Sequence, residues 1–184
     1  MRKIIFLIYM ILVFVLNSTG QDKCLSQGAP KSSTNPPVSD ERLKLIENGK
    51  AQEKLEEEVF KILNQKRIEK GLEPLRWNED LARIARSHSE NMAKFRFFSH
   101  VDMNKHTVAG RVKSFGIKDW KAIGENIGFA RNLDSPAISL CEMWMKSETH
   151  RKNILDSRYD ETGIGVAIAE DGTYYFTQIF MRRR

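Results

Sequence analysis

The chain has 184 residues, of which 41% are apolar and 29% charged, and it carries a net charge of +6. This is globular composition: it excludes a disordered chain, and the length leaves room for one domain of roughly 100 to 150 residues beside a targeting segment and a linker. The basic excess is not arranged as a stripe interleaved with aromatics, and the chain has no Gly-rich phosphate loop, so neither a nucleic-acid partner nor an organic cofactor is indicated.

Arg2 and Lys3 precede an unbroken apolar run from Ile4 to Leu16, and Ser18-Thr19-Gly20 offers small residues for cleavage, so residues 1–20 read as a signal peptide. The run is shorter than the ~20 residues a bilayer crossing needs, which predicts a mature chain with no transmembrane segment, secreted to the outside or into a periplasm. Cleavage removes Arg2 and Lys3 and no acid, leaving +4. Cys24 raises a lipoprotein alternative, but Gln21, Asp22 and Lys23 are not the small apolar residues a lipid-attachment site uses, and simple secretion is preferred. Cys141 is the only other cysteine, and the preferred reading is a buried free thiol.

Residues 21–50 read as a flexible linker, with Pro30, Pro36 and Pro37 at its start; Glu41 to Lys50 is charged and helical in part, with a break expected at Asn48-Gly49. The folded domain is placed at 51–184. Leu55, Val59 and Leu63, joined by Phe60 and Ile62, recur at helical spacing, and Gly71 closes that helix. A second helix starts at Asn78 as cap, carries Leu81, Ile84, Ala85, His88 and Met92 on one face, and runs to Lys94. From Phe95 to Asp119 the sequence predicts loops and one short helix around Val108 to Phe115. A further helix opens with Ser135 as cap and Pro136 at its first position, and buries Ala137, Leu140, Cys141 and Trp144.

Near the C-terminus, Ile164, Val166 and Ile168 alternate with small residues, Asp171-Gly172 supplies a turn, and Thr173 to Met181 is β-branched and aromatic: a β-hairpin. Helices first and strands last predict an α+β domain with a largely antiparallel sheet. Arg182, Arg183 and Arg184 form a basic tail, which a polyanionic cell surface would attract and which is more usually just solvated.

Three strings stand out as carriers of chemistry: Phe98-Ser99-His100; Gly124-Glu125-Asn126-Ile127; and Trp144 to Ser147 leading into His150-Arg151-Lys152-Asn153-Ile154-Leu155. Two imidazoles and a carboxylate suit a borderline metal such as zinc, but their spacing alone does not show that they meet. The order of these strings, followed by Thr162 to Ala167 and Tyr174 to Phe180, resembles the CAP superfamily of cysteine-rich secretory proteins, antigen 5 and pathogenesis-related 1 (the SCP-like extracellular domain), especially its bacterial branch. The match covers about Leu55 to Met181. Asn64, Arg67, Gly71-Leu72, Pro74-Leu75, Trp77 and Leu81 fit the family's opening helix, turn and second helix.

The resemblance implies an α-β-α sandwich with a cleft lined by histidines and acids that in several members holds a divalent metal. Carried over by motif, His100 is one imidazole and Glu125 the acid; His150 belongs to a string typical of the bacterial branch, and the resemblance implies that it lines the cleft without fixing whether it fills the second imidazole's point. Members with a full tetrad carry Glu three residues after the helix tryptophan, where this chain has Ser147, with Glu148 offset by one; the other histidine of animal and plant members is replaced by Tyr175. The expected ion is Zn or another divalent metal on His100, His150 and Glu125.

Each residue also has a plainer reading. Glu125, between Gly124 and Asn126, would fix a turn; His88 would be a satisfied core or boundary residue and His106 a loop residue; Arg151 and Asn153 would hold the segment after His150; Trp144 would be core and Gln178 an ordinary strand residue. Three functions follow. The first is a secreted module binding a lipid, peptide or cell-envelope ligand. The second is a metal-dependent hydrolase of peptide or envelope substrates with Glu125 as base, and the third a purely structural envelope protein.

Overall fold

The computed structural model describes residues 39–184; the expected signal peptide, Cys24 and the first part of the expected linker lie outside them. Helix α1 (Asp40–Ile68) runs straight through Asn48-Gly49, where the sequence predicts a break. Gly49 costs a helix interior about 1 kcal/mol relative to alanine, and the flanking Glu47, Lys50, Ala51, Gln52, Glu53 and Lys54 are good helix formers that absorb it. The domain boundary drawn at residue 51 therefore falls inside a continuous helix. The chain leaves α1 through a Schellman turn, in which Leu72 N–H donates to the Arg67 carbonyl at 3.0 Å and Gly71 N–H to that of Ile68 at 2.9 Å.

Strand β1 (Arg76–Trp77) leads into α2 (Glu79–Phe95), whose first turn is capped by the Asn78 side chain accepting from Leu81 N–H at 3.1 Å, as predicted. The short α3 (Val108–Ser114) lies where a short helix is expected. Strand β2 (Trp120–Ala130) follows, then α4 (Pro136–Lys146), α5 (Glu148–Ile154) and the predicted hairpin, β3 (Glu161–Ile168) and β4 (Tyr174–Arg183). The strand order is β1-β3-β4-β2, parallel between β1 and β3 and antiparallel elsewhere. Among the described residues, no helix is long and apolar enough to cross a membrane.

Alternation along the hairpin sorts the core into two layers. Ile164, Val166, Phe176 and Phe180 pack with Val59 and Leu63 of α1 and Leu140, Cys141 and Trp144 of α4, while Ile179 and Met181 meet Leu81, Ile84 and Ala85 of α2 and Val112 of α3. The result is the expected α-β-α sandwich. Opposite Ile179 and Thr177, β3 presents Gly163 and Gly165 to α2, and at Gly165 the helix comes so close that a Cβ would lie 2.0 Å from Arg86 N. Glycine is required there by space.

Both sheet edges are closed by side chains. β1 covers only Glu161 and Thr162 of β3; further along, Val166 N–H donates to buried Glu56 at 3.1 Å, and Glu56 in turn accepts Arg86 Nε and Nη2 at 3.0 and 2.7 Å. Burial raises the Glu56 carboxyl above its ordinary range, with Arg86 pulling the other way. On the other edge, Trp144 and Asn153 donate to the β2 carbonyls of Ile127 and Glu125 at 3.1 and 3.2 Å. Of the basic tail, Arg182 and Arg183 extend the sheet and pair with Asp160 and Glu161 at 3.6 and 3.2 Å.

Candidate functional site

Glu125 sits in the middle of β2, opposite Ile179, with its side chain only 2% exposed. The turn reading of Gly124-Glu125-Asn126 is thus corrected: all three are ladder residues paired with β4. The strand is cryptic because β2 has no apolar alternation. Its small residues serve the neighbouring layer instead, since a side chain at Gly128 would strike Leu140 and Trp144, and one at Gly124 would strike Tyr159.

His100, in the loop between α2 and α3, places Nδ1 2.7 Å from Glu125 Oε1. The other carboxylate oxygen, Oε2, accepts from Arg111 Nη2 in a short charged contact. Arg111 projects from α3, is 6% exposed, and also donates through Nη1 to the carbonyls of His100 at 3.1 Å and His106 at 3.2 Å. One guanidinium therefore fixes both the carboxylate and the loop that carries the histidine. Asp102 tightens the same loop by accepting from the N–H groups of Asn104 and His106, each at 2.8 Å. The His100 ring is 57% exposed, and with Nδ1 spent on Glu125 its Nε2 is the atom a ligand would meet.

Sequence reasoning missed Arg111. Its one signal is a cation in the buried register of a short helix, beside Val112.

His150 comes from α5. Its Nδ1 lies 2.8 Å from Ser147 Oγ, one turn back at the helix cap, and its ring stacks on Trp144 at 6.2 Å between centroids. Burial holds its pKa below the ordinary histidine value, His100 adds repulsion, and the Ile127 backbone partly offsets both. His150 is thus within electrostatic reach of His100. The segment around it is held as the plain reading expects: Arg151 donates to the Met145 carbonyl at 2.8 Å, Asn153 to Asn126 Oδ1 at 2.9 Å, and Asn126 to the His150 carbonyl at 3.2 Å. Trp144 is a core residue, 2% exposed.

The remaining candidates take other places in the fold. Glu148 is exposed in the first turn of α5. Tyr175 pairs with Phe129, four positions along β2 from Glu125, roughly 13 Å at strand rise. There it continues a row of rings, Phe98 to Phe129 at 5.2 Å and Phe129 to Tyr175 at 6.4 Å. His88 is fully buried with Nε2 2.9 Å from the Ser99 carbonyl, and His106 is a half-exposed loop residue 3.6 Å from Asp102. Gln178 is buried and donates to Thr162 Oγ1 at 3.2 Å.

Glu125 is not available as a direct ligand for a divalent ion in this arrangement. Both Glu125 oxygens are engaged, one by a guanidinium, and His150 turns Nδ1 to a serine where a full tetrad has a carboxylate. Among the described residues, no three His, Cys, Asp or Glu side chains form a group that could hold a metal. A groove of ≈ 610 Å³ runs between α1 and α4 over Ile62, Ile138, Cys141 and Met145, and one of ≈ 390 Å³ lies between the end of α2 and the hairpin turn; neither is lined by His100, Glu125 or His150.

Compared with known proteins, residues 60–180 match the model of the cysteine-rich secretory protein family, CAP. A Bacillus subtilis (strain 168) protein named the uncharacterized membrane protein YlbC is 37% identical over 146 residues, which is 79% of this chain and 38% of that protein. Among solved structures, an extracellular protein containing a SCP domain from Bacillus anthracis str. Ames is similar with a TM-score of 0.64 and 26% identity over 81% of this chain and 45% of that one. A cysteine-rich secretory protein from Staphylococcus aureus subsp. aureus Mu50 gives a TM-score of 0.57 and 27% identity over 72% of this chain and 39% of that one. The chain spans less than half the length of each of these relatives.

Proposed function

Since the chain belongs to the cysteine-rich secretory protein (CAP) family, we propose that it is an exported module that binds a cell-envelope, lipid or peptide ligand through the surface around His100 and His150. The observation that carries this reading is the support given to one exposed ring. A carboxylate that is itself buried orients His100, and a buried arginine orients that carboxylate. Burying an ion pair costs desolvation, and in this site the exposed group it positions is an imidazole with its Nε2 free for a ligand. Export is supported by the pattern of residues 1–20 and by similarity to a protein described as extracellular.

The hydrolase alternative requires Glu125 as base, and both of its oxygens are already committed to His100 and Arg111. No observation favours it. A purely structural protein would need nothing from the two imidazoles, and that separates it from the binding reading. Mature protein is incubated with separated envelope fractions (sacculi, lipid vesicles and a peptide pool), and retention is compared with that of a His100→Ala/His150→Ala variant. Binding reduced on the order of tenfold or more in the variant is the expected result, the range that loss of buried or charged hydrogen bonds gives. Equal retention of both proteins on every fraction would refute the reading.

A further inference from the structure

We infer that Arg111 is the built-in cation of this site, and that its guanidinium keeps divalent metal ions off His100, Glu125 and His150. The inference goes beyond the ligand-binding reading and does not depend on it. A carboxylate 2% exposed must be matched by a cation or take up a proton. In this chain the match is internal. Arg111 reaches Glu125 from α3, and its second nitrogen is anchored on the carbonyls of His100 and His106, so the guanidinium is held from two sides. His100 then gives Nδ1 to the same carboxylate, so each Glu125 oxygen already has a nitrogen partner.

A divalent ion using Glu125 would have to displace the guanidinium or sit beside it, where two positive charges in a poorly solvated pocket repel. The replacement of a tetrad acid by Ser147 fits the same arrangement: its hydroxyl bonds His150 at 2.8 Å and adds no negative charge with which an ion could offset that repulsion. Burial lowers the pKa of His88, and the Arg111 guanidinium lowers it further. Arg111 is accordingly a positioning residue, and removing its charge leaves Glu125 buried and unmatched, a vacancy that a metal ion can fill.

The test is zinc titration of tag-free mature protein by calorimetry, with thermal unfolding in parallel. Wild type is expected to show no saturable binding that depends on His100. Arg111→Met should bind zinc through His100 at least on the order of tenfold more tightly than wild type and unfold at a higher temperature when zinc is present. Arg111→Lys, which keeps the charge, should behave as wild type, and Arg111→Met/Glu125→Gln should gain nothing. If Arg111→Met does not fold, Arg111→Gln, which retains a donor for the carbonyls, carries the same expectation. Stoichiometric zinc binding by wild type that His100→Ala abolishes would overturn the inference. So would a charge-removed variant that folds and binds zinc no better than wild type. Either failure concerns the metal alone and leaves the envelope-binding experiment to stand or fall on its own result.

Discussion

Replacing Gly165 by alanine is expected to unseat α2 from the sheet. The new Cβ would lie 2.0 Å from Arg86 N, 2.3 Å from the Ala85 carbonyl carbon and 2.5 Å from Arg86 Cα. Non-bonded carbon atoms rest at roughly 3.5–4.0 Å, so the helix axis must retreat by about 1 to 1.5 Å. That retreat pulls Leu81, Ile84 and Ala85 away from Ile179 and Met181, and it strains the Ser89 hydroxyl bond to the Gly165 carbonyl and the Arg86 contact with Glu56. Overpacking costs about 1–3 kcal/mol where side chains can give; here the obstacle is helix backbone, so a loss of about 3 kcal/mol or more is expected.

The same hairpin supplies a control. Gly172, at φ +78°, has nothing within 4 Å of its would-be Cβ, so Gly172→Ala bears only the left-handed backbone penalty of roughly 1–2 kcal/mol. Urea unfolding followed by tryptophan fluorescence gives both values under one condition. If Gly165→Ala unfolds within about 1 kcal/mol of wild type, the close approach of α2 to β3 is not what requires the glycine.

Two further outcomes follow from buried titratable groups. Burial first, and then the charge of Arg111, depress the pKa of His88, and its Nδ1 is buried without a partner. The stability this residue contributes should be complete above the unfolded value of about 6.5. It should fall as pH drops from there toward the depressed folded value, because the unfolded chain binds the proton first. His88→Gln keeps a donor for the Ser99 carbonyl and cannot titrate in this range, so its stability should decline less between pH 7 and 5; equal slopes would remove His88 as the cause. Burial likewise pushes the Cys141 thiol up to about 12. In a Cys24→Ser background the folded protein should not react with a thiol-specific disulfide reagent at pH 8 and should react stoichiometrically in urea, while rapid labelling of the native state would contradict the buried position.

What the sequence determined by itself is the local grammar and the kinship. The Asn78 cap, the Pro136 start, the periodic faces of α2 and α4 and the hairpin around Asp171-Gly172 all rest on interactions within a few residues, so each is readable without the rest of the fold. The order of the His100, Glu125 and His150 strings was likewise enough to assign the family. Tertiary structure decided what those strings do. β2 is a strand because β4 and the helix side chains on its edge complete its hydrogen bonds, although Glu125, Asn126 and its glycines show no strand pattern. Helix α1 continues through Asn48-Gly49, where local signals call for a break. Above all, the partner of Glu125 is Arg111, supplied by a different element and invisible as a motif, because a buried charge is satisfied by whatever cation folding brings within reach rather than by its neighbours in the chain.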